Sequence, residues 1–345
     1  MAILTKRNMK DLTMKVLIVA HVTGGKFSPF VTEQAAALAK AGCVIEKFGV
    51  EGKGFIGYLK NLPKLKRSIR EFAPDALHAH YGLSGLLANM QRRCPVVTTY
   101  HGSDIHSGGW VLKLSRICMR LSKFNLFVSR FLLERSGYKK DNVAVIPCGV
   151  DMDLFSPMEK YEAREALGML AFDDKKKYIL FAGSFDNPVK NALLAKETVN
   201  LINQKFASEM SRSAVLLNLK GYSREQVNLL LNAADCLLMT SEREGSPMII
   251  KEAMAAGRPI VSVDVGDVAD VVSGVPGCFI AERNISDIAD KLSSALEYSD
   301  KCSEAIVSNP DSLEGRKRLM EKGLVSDQTA RRLLHIYELL LNGVG

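Results

Sequence analysis

The stretch EREGSPMIIKEAMAAGRPIVSVDVGD, Glu242–Asp267, contains in order a turn, a helix and a strand. Ser246 can cap the helix and Pro247 suits its first position, because a serine hydroxyl accepts a backbone N–H and proline has no N–H to leave unpaired. Gly257 suits the residue that follows the last helical turn. The apolar run Pro259–Val263 comes next and predicts a buried strand. A helix leading directly into a buried strand is the repeating unit of a parallel α/β sheet.

One carboxylate, Glu252, lies within the apolar part of this stretch, and its helical neighbours three and four positions away are all apolar. An ionised carboxylate in such surroundings must be paired or hydrogen-bonded. Hydroxyl groups of a sugar or ribose would satisfy it, and so would a salt bridge to Lys251 or to a distant arginine. The stretch alone leaves both alternatives open. The first N–H groups of the helix, at Met248 and Ile249, predict an anion site.

The same alternation of apolar strands and helices runs along most of the chain, with strands predicted at Val44–Val50, Ala76–His80 and Val96–Tyr100 in the first half. It restarts after a polar break at Asp173–Lys177. It predicts two doubly wound, parallel α/β sheets in series, joined near Gly149–Pro157. Ligands of such sheets bind beyond the carboxyl ends of the strands, so both halves are expected to direct functional loops at one cleft. The predicted segments are an N-terminal lead at 1–13, a Rossmann-like domain at 14–155, a second Rossmann-like domain at 156–325 and a C-terminal helix at 326–345 that packs back on the body.

Composition narrows the class of protein. The chain has 345 residues, of which 47% are apolar, enough for two globular cores. No run of about 18 uncharged apolar residues predicts a transmembrane helix, and MAILTKRNMKDLT lacks the apolar core of a signal peptide. The seven cysteines are odd in number and include no CxxC pair, which argues against a disulfide framework or a zinc site. We expect a cytoplasmic protein, with peripheral attachment to the inner face of the membrane left open.

Charge is unevenly distributed along the chain. Residues 1–150 carry 23 Lys and Arg against 9 Asp and Glu, whereas the remainder carries 23 against 29. This asymmetry predicts an anionic partner for the first half. Tyr58–Phe72 has leucine and isoleucine on one side and basic residues largely elsewhere, which fits either a membrane-surface element or an ordinary amphipathic helix. Lys113–Lys123 adds a second basic stretch, and because no nucleic-acid reader motif occurs, nucleic acid is not expected as a partner.

Several motifs occur in a fixed order along the chain: FSPFVTEQAAALAKAG, HAHYGLSG, TYHGSDI, VSRFLLE, IPCGVDMDLFSP and NAADCLLMTS. Together with E-G-S-P-x4-E at Glu244–Glu252, they resemble the family 4 glycosyltransferases of GT-B fold, from about Val16 to the end of the chain. VKNALLAKE and LKGYSREQV are similar to the bacterial branch that includes teichuronic-acid and capsule-type transferases. The resemblance implies transfer of a sugar from a nucleotide sugar, UDP-linked, to a glycan or lipid-linked glycan in cell-surface polysaccharide synthesis.

The resemblance also implies roles for individual residues. The catalytic candidates are Glu244, which would contact the donor sugar's hydroxyls, Lys190, which would contact the diphosphate, and His101, near the transferred sugar. Glu252 would bind the ribose diol. Ser184 occupies the family's arginine position on the diphosphate, so either another basic residue compensates or diphosphate binding is weaker. Further donor contacts are expected from Gly245, Ser246, Pro247, Met248, Ile249, Gly221, Tyr222, Gly24 and Gly25.

No metal site is predicted. Asp151 and Asp153 fit the DxD pattern that another transferase fold uses for metal, but they lie in the segment IPCGVDMDLF, which we interpret as a linker. The resemblance implies a retaining, metal-independent reaction with no cofactor besides the nucleotide-sugar substrate. His78 and His80 are expected to be core residues or to support the site.

Three other functions remain open at this stage. A sugar-nucleotide epimerase or a phosphorylase would use the same architecture. A non-catalytic protein that binds nucleotide sugars is favoured by Ser184, because the missing arginine would weaken stabilisation of a departing diphosphate.

Overall fold

The structure is a computed structural model and describes residues 13–168, 172–173, 175–208, 213–302 and 310–341. These residues form two compact units, the first with 13–127, 136–146 and 330–341, and the second with 128–135 and the described part of 147–329. The predicted lead lies outside the described residues except for Thr13.

The first unit is an α/β sheet with helices in its connections. Its strands are β1 (Lys15–Thr23), β2 (Lys26–Phe27), β3 (Val44–Val50), β4 (Ala76–His80), β5 (Val96–Tyr100), β6 (Phe124–Phe127) and β7 (Val143–Val145). Its helices are α1 (Pro29–Lys40), α2 (Gly54–Leu59), α3 (Leu62–Phe72), α4 (Gly82–Asn89), α5 (Ser103–His106) and α6 (Gly109–Leu121); α7 (Arg130–Ser136) follows β6.

The first sheet has the strand order β3-β1-β4-β5-β6-β7, all parallel, and β2 pairs antiparallel with the end of β1. The central strands are short apolar runs because a parallel sheet is covered on both faces. After β1 the chain goes first to β3 on one side and then to β4 on the other. The loops that follow β1 and β4 therefore flank the topological switch point, where ligands of open sheets bind.

The second unit repeats this design. Its strands are β8 (Lys176–Phe181), β9 (Ser213–Leu217), β10 (Cys236–Met239), β11 (Ile260–Val263) and β12 (Cys278–Ala281). Its helices are α8 (Lys160–Leu167), α9 (Ala192–Ser208), α10 (Arg224–Ala233), α11 (Met248–Ala255), α12 (Val268–Val272), α13 (Ile285–Cys302) and α14 (Glu314–Glu321). The parallel sheet has the order β12-β11-β10-β8-β9, so its switch point lies between β8 and β10.

Each unit has a core of its own. The second half of the last helix, α15 (Ser326–Leu341), packs in the first unit, where Leu333 and Tyr337 are buried with residues of β1 and α1. In the segment before α8, the Asp151 carboxylate accepts the backbone N–H groups of Asp153 and Leu154, which makes it a turn of the linker. Within the described residues, no helix is both long and apolar enough to cross a bilayer.

Candidate functional site

The switch point of the second sheet holds two of the predicted catalytic residues. Lys190 follows β8, and Glu244 follows β10, on the two loops that flank this crevice. The Glu242 N–H donates to the Val189 carbonyl at 2.8 Å, which ties the loops together. After β9 the chain crosses over to the other side of β8 to form β10. This crossover brings Lys190 and Glu244, which are far apart in sequence, to the same crevice.

The backbone around Lys190 is fixed by side-chain hydrogen bonds. A single turn of 3-10 helix, Pro188–Lys190, begins with Asn187, whose side chain accepts the N–H of Val189. The Thr240 hydroxyl donates to the Lys190 carbonyl at 3.0 Å. The lysine stem passes over Gly183, where a Cβ atom would lie 2.8 Å from Lys190 Cγ. The glycine after β8 therefore leaves room for the lysine stem to take this path into the crevice.

Lys190 and Glu244 form an ion pair, with 2.6 Å between Nζ and Oε1. Their side chains are 19% and 16% exposed, so the pair is largely desolvated but still open to solvent on one side. An ammonium and a carboxylate side by side can hold a phosphate oxygen and a sugar hydroxyl at neighbouring positions. This arrangement fits the roles predicted for both residues.

The start of α11 differs from the prediction. The helix begins at Met248 with Pro247 as its N-cap, and Ser246 makes no cap hydrogen bond, so the predicted capping role is wrong. The Ser246 hydroxyl instead donates to Asp267 Oδ2 at 2.6 Å and accepts from Lys251 Nζ at 2.8 Å. The buried Lys251 ammonium and the half-buried Asp267 carboxylate both bind this hydroxyl and are stronger partners than a backbone amide.

Lys251 is the cation of this network and is fully buried. Its ammonium also donates to the Cys148 carbonyl at 2.8 Å. Burial raises the pKa of Asp267, and the Lys251 charge opposes that shift. Gly266, at φ +66°, keeps the segment before Asp267 close to the E-G-S-P turn, since a Cβ there would lie 3.0 Å from the Gly245 carbonyl oxygen. The network thus fixes the backbone of Gly245 to Met248, where N–H groups of the helix terminus face a prospective anion.

We expect Ser246→Ala to lower the free energy of unfolding of the second unit by about 1–3 kcal/mol, because it leaves a buried ammonium and a half-buried carboxylate each without one partner. Thermal melts of the variant and the wild type measure this. Ser273→Ala, at the exposed end of α12, is the matched control and should change the melting temperature little. Equal melting temperatures for Ser246→Ala and wild type would contradict the network.

Glu252 on α11 is buried and pairs with Arg224, with 2.5 Å between Nη2 and Oε1. The sequence left open whether its partner is a ligand, Lys251 or a distant arginine. Lys251 is committed to Ser246 and Cys148, and the arginine lies at the start of α10, where Ser223 and Gln226 form a capping box. The Arg224 guanidinium also stacks over the Phe155 ring at 4.7 Å. The carboxylate is therefore held in place before any ligand arrives.

The other predicted donor residues of the second unit lie on neighbouring loops. Ser184 follows β8, and its hydroxyl accepts the N–H of Asp186 at 3.3 Å. The Asp186 carboxylate pairs with Lys220, so a cation lies beside the loop that lacks the family's arginine. Gly221, at φ +83°, turns the chain after Lys220, and Tyr222 packs on the core of the second unit. Direct contact of these residues with a donor stays a prediction.

In the first unit, His101 follows β5 and closes a column of stacked histidines. His80 Nδ1 lies 2.9 Å from His101 Nε2, and the two rings stack 5.1 Å apart. His78, two residues before His80 on β4, lies between Thr99 Oγ1 at 2.7 Å and the Tyr337 hydroxyl at 2.5 Å. His78 and His80 are buried supporting residues, as the sequence predicted.

The loops at the switch point of the first sheet surround a cavity of about 330 Å³. His21, Tyr58, Tyr81, Ser103, Asp104 and Val111 are among its lining residues. Asp104 accepts the N–H groups of Gly82 and His101, which fixes the turn after β5. None of these lining residues was a predicted site residue, although Tyr81 directly follows the predicted strand Ala76–His80, and Ser103 and Asp104 closely follow the predicted strand Val96–Tyr100.

Gly24 and Gly25 have positive φ values of 57° and 74° and form the two-residue turn between β1 and β2. A hairpin of this kind requires positive φ at both central positions, so the glycines are needed for the turn itself. No Cβ placed on either residue would meet an atom within 4 Å. Their predicted contact with phosphate stays a prediction.

Known families and structures resemble this chain over most of its length. The family profile described as Glycosyltransferase Family 4 matches residues 7–154, and the profile described as Glycosyl transferases group 1 matches residues 176–298. The chain thus joins a Glycosyltransferase Family 4 domain to a Glycosyl transferases group 1 domain.

Individual relatives and solved structures are similar to this chain at low identity. A putative teichuronic acid biosynthesis glycosyltransferase of Bacillus subtilis is 25% identical over 65% of this chain, and a D-inositol 3-phosphate glycosyltransferase of Nocardia farcinica is 23% identical over 66%. The matches span 61% and 60% of those relatives' own lengths. The structure of Anabaena HepE in complex with UDP superposes with a TM-score of 0.63 at 14% identity, covering 93% of this chain and 99% of the other. The fold is therefore GT-B.

The histidine column is expected to make the first unit sensitive to acid. Burial lowers the pKa of His78 and of His101 to about 3, from 6.5, and it also holds the pKa of His80 well below its usual value. The unfolded chain binds protons at these rings below pH 6.5, while the folded chain does not. Burial raises the pKa of Asp104 to about 6, from 3.8, so this one group opposes the trend.

We expect the free energy of unfolding of the first unit to fall between pH 6.5 and pH 4, by roughly 1.4 kcal/mol per pH unit for each net proton that the unfolded state gains. Urea unfolding followed by the fluorescence of Trp110, the only tryptophan in the chain, measures it. His78→Gln should reduce the slope. A free energy of unfolding that does not change between pH 7 and pH 5 would contradict the buried, neutral histidines.

Proposed function

We propose that this chain is a retaining, metal-independent glycosyltransferase that moves a sugar from a UDP-sugar to a glycan or lipid-linked glycan in cell-surface polysaccharide synthesis. The observation that carries the proposal is the ion pair of Lys190 and Glu244 at the switch point of the second sheet, next to the start of α11. A cation and a helix N-terminus favour a diphosphate, and a carboxylate beside them favours sugar hydroxyls.

The chemistry follows from how charge changes during transfer. When the bond between sugar and nucleotide breaks, negative charge builds on the departing diphosphate. The Lys190 ammonium and the N–H groups at Met248 and Ile249 are fixed before that charge appears, which is what electrostatic stabilisation of a transition state requires. Glu244 orients the sugar and Glu252 the ribose. We base the choice of UDP as the nucleotide on the structure of HepE in complex with UDP. We base the choice of a cell-surface polysaccharide as the product on the teichuronic acid relative.

A second candidate function is non-catalytic binding of a nucleotide sugar. Ser184 favours it, because a hydroxyl supplies no positive charge where the family has an arginine, and the nearby Lys220 is committed to Asp186. Epimerase or phosphorylase activity on the same fold is the remaining alternative.

Nucleotide release separates these candidates. The chain is incubated with each common UDP-sugar in EDTA, with and without a bacterial lipid extract, and free UDP is measured together with the anomeric proton of the product by NMR. The proposal expects UDP release that rises with the extract and a product of unchanged anomeric configuration. Binding of the UDP-sugar without release of UDP would favour the non-catalytic function. Conversion of the UDP-sugar to its epimer would favour an epimerase, and cleavage only in the presence of phosphate would favour a phosphorylase.

A further inference from the structure

Helix α6 presents an unusual outward face. Its inner face, with Ser115, Cys118 and Met119, is buried against α4. The helices approach closely at two glycines of α4: a Cβ on Gly82 would lie 2.4 Å from Ser115 Oγ, and one on Gly85 would lie 2.5 Å from Cys118 Sγ. The inner face is thereby fixed, and the opposite face follows from the helical period.

The opposite face carries Trp110, Lys113, Ile117, Arg120 and Leu121, which we call the α6 face. Trp110 is 54% exposed, Ile117 43% and Leu121 53%. A surface helix normally turns charged and polar residues outward. Here three large apolar side chains are exposed on the same face as two cations, and Gly109–Leu121 contains no acidic residue. Neighbouring exposed apolar groups of this size mark an interaction surface.

More cations lie at the carboxyl end of α6. Asn89, the last residue of α4, donates to Ser122 Oγ at 3.0 Å, which brings the segment after α4 to this end. That segment continues with Met90, which is exposed, and with Arg92 and Arg93, which are also exposed. Lys123 lies two residues beyond the end of the helix and is also exposed. Positive charge therefore extends the α6 face beyond the carboxyl end of the helix.

Helix α3 does not share this property. Its apolar residues Leu65 and Ile69 are buried in the core of the first unit, so its basic side is an ordinary solvated surface. On that side, Arg67 pairs with Glu71 at 2.7 Å. From sequence, the stretch Tyr58–Phe72 fitted either a membrane-surface element or an ordinary amphipathic helix. The structure favours the ordinary helix there, and Lys113–Lys123 is the stronger membrane candidate.

We propose that the α6 face docks on an anionic lipid bilayer, with the helix lying in the plane of the interface. Trp110, Ile117 and Leu121 would enter the headgroup and acyl boundary, while Lys113 and Arg120 would remain at the level of the anionic headgroups. Tryptophan is favoured at this depth because its ring is apolar and its N–H is polar. Positive charge without acidic residues complements an anionic surface.

The position of the α6 face has a consequence for the reaction. Val111, next to Trp110, lines the cavity of the first unit. Docking would hold this cavity close to the bilayer, within reach of the head of a lipid-linked acceptor. This consequence rests on the proposed function, but docking itself does not.

Trp110 reports on docking directly because it is the only tryptophan. The full chain is mixed with vesicles of phosphatidylglycerol and phosphatidylcholine, or of phosphatidylcholine alone, with brominated phosphatidylcholine as a quencher. We expect a blue shift and quenching of the emission with the anionic vesicles, reduced in high salt, and much weaker effects with the neutral ones. Unchanged emission and no co-sedimentation with anionic vesicles would overturn the proposal.

Variants localise the contact. Ile117→Ser with Leu121→Ser, and separately Lys113→Gln with Arg120→Gln, should each weaken vesicle binding at least tenfold. The matched control is Lys64→Gln with Lys66→Gln on α3, which removes the same charge from exposed positions and should change binding less than threefold. A loss as large in the control as in the Lys113 and Arg120 variant would show diffuse attraction and overturn the α6 assignment.

For each variant, the rise in melting temperature on addition of UDP measures whether the proposed nucleotide site of the second unit is intact. A retained shift with lost vesicle binding supports docking by α6. Vesicle binding without any UDP shift supports docking while contradicting the proposed function.

Discussion

Lys190→Ala is expected to lower kcat for sugar transfer by roughly 10²–10³-fold, the effect of removing one fixed group that stabilises transition-state charge. Lys190 Nζ lies 2.6 Å from Glu244 in a largely desolvated crevice, where a cation interacts more strongly with the departing diphosphate than it would in water. Steady-state kinetics with the UDP-sugar identified by the release assay measure the change.

Two comparisons keep this prediction specific. Lys196→Ala removes the same charge from an exposed position on α9 and should leave kcat nearly unchanged. Glu244→Ala should reduce transfer as strongly as Lys190→Ala. If the two residues formed only a structural salt bridge, the double variant would recover activity lost in the singles, because neither charge would then be left unpaired. We expect no recovery.

Glu252→Ala should raise the Kd for UDP by about 10–100-fold, since hydrogen bonds to a charged group contribute about 1.5–3 kcal/mol. The carboxylate is buried and is held by Arg224, so it can bind a ribose diol without losing side-chain freedom at that moment. At saturating donor, kcat should change less than Kd. Isothermal titration calorimetry and the KM-against-kcat comparison measure both effects.

Arg224→Ala separates a ligand-binding role from a purely structural one. It removes the partner of Glu252 but leaves the carboxylate, and it should weaken UDP binding less than Glu252→Ala does. Unchanged UDP affinity in Glu252→Ala would refute the ribose role. Equal losses in both single variants and in the double variant would assign Glu252 to the ion pair alone.

Sequence predicted the central strands of both sheets well. Ala76–His80 and Val96–Tyr100 have the predicted bounds, because strands that are covered on both faces are buried throughout. The edge strand Val44–Val50 also has its predicted bounds, although most of its residues are exposed or half-buried. The strands β2 and β12 were missed. The first has only two residues, and the second lies at the sheet edge and is half-buried, so its pattern is weak.

The details of the site were harder to predict because they depend on pairing between distant segments. Lys251 and Glu252 are adjacent in sequence, yet they point to different partners, Ser246 and Arg224. The Ser246 cap was wrong because Asp267, which competes for the hydroxyl, lies two elements later. Helix α6 was not predicted as a docking helix because apolar residues on both of its faces obscure the helical period.

The measurement that tests the central claim most directly is the melting temperature of the full chain with UDP, GDP, ADP and the common UDP-sugars, in EDTA. A ligand that binds only the folded state raises its stability with the logarithm of ligand concentration over Kd, by about 2.7 kcal/mol at one hundred times Kd. We predict a clear rise with UDP and UDP-sugars, and a much smaller one in Glu252→Ala. No rise with any nucleotide, or an equal rise in Glu252→Ala, would contradict a nucleotide-sugar site at Lys190, Glu244 and Glu252.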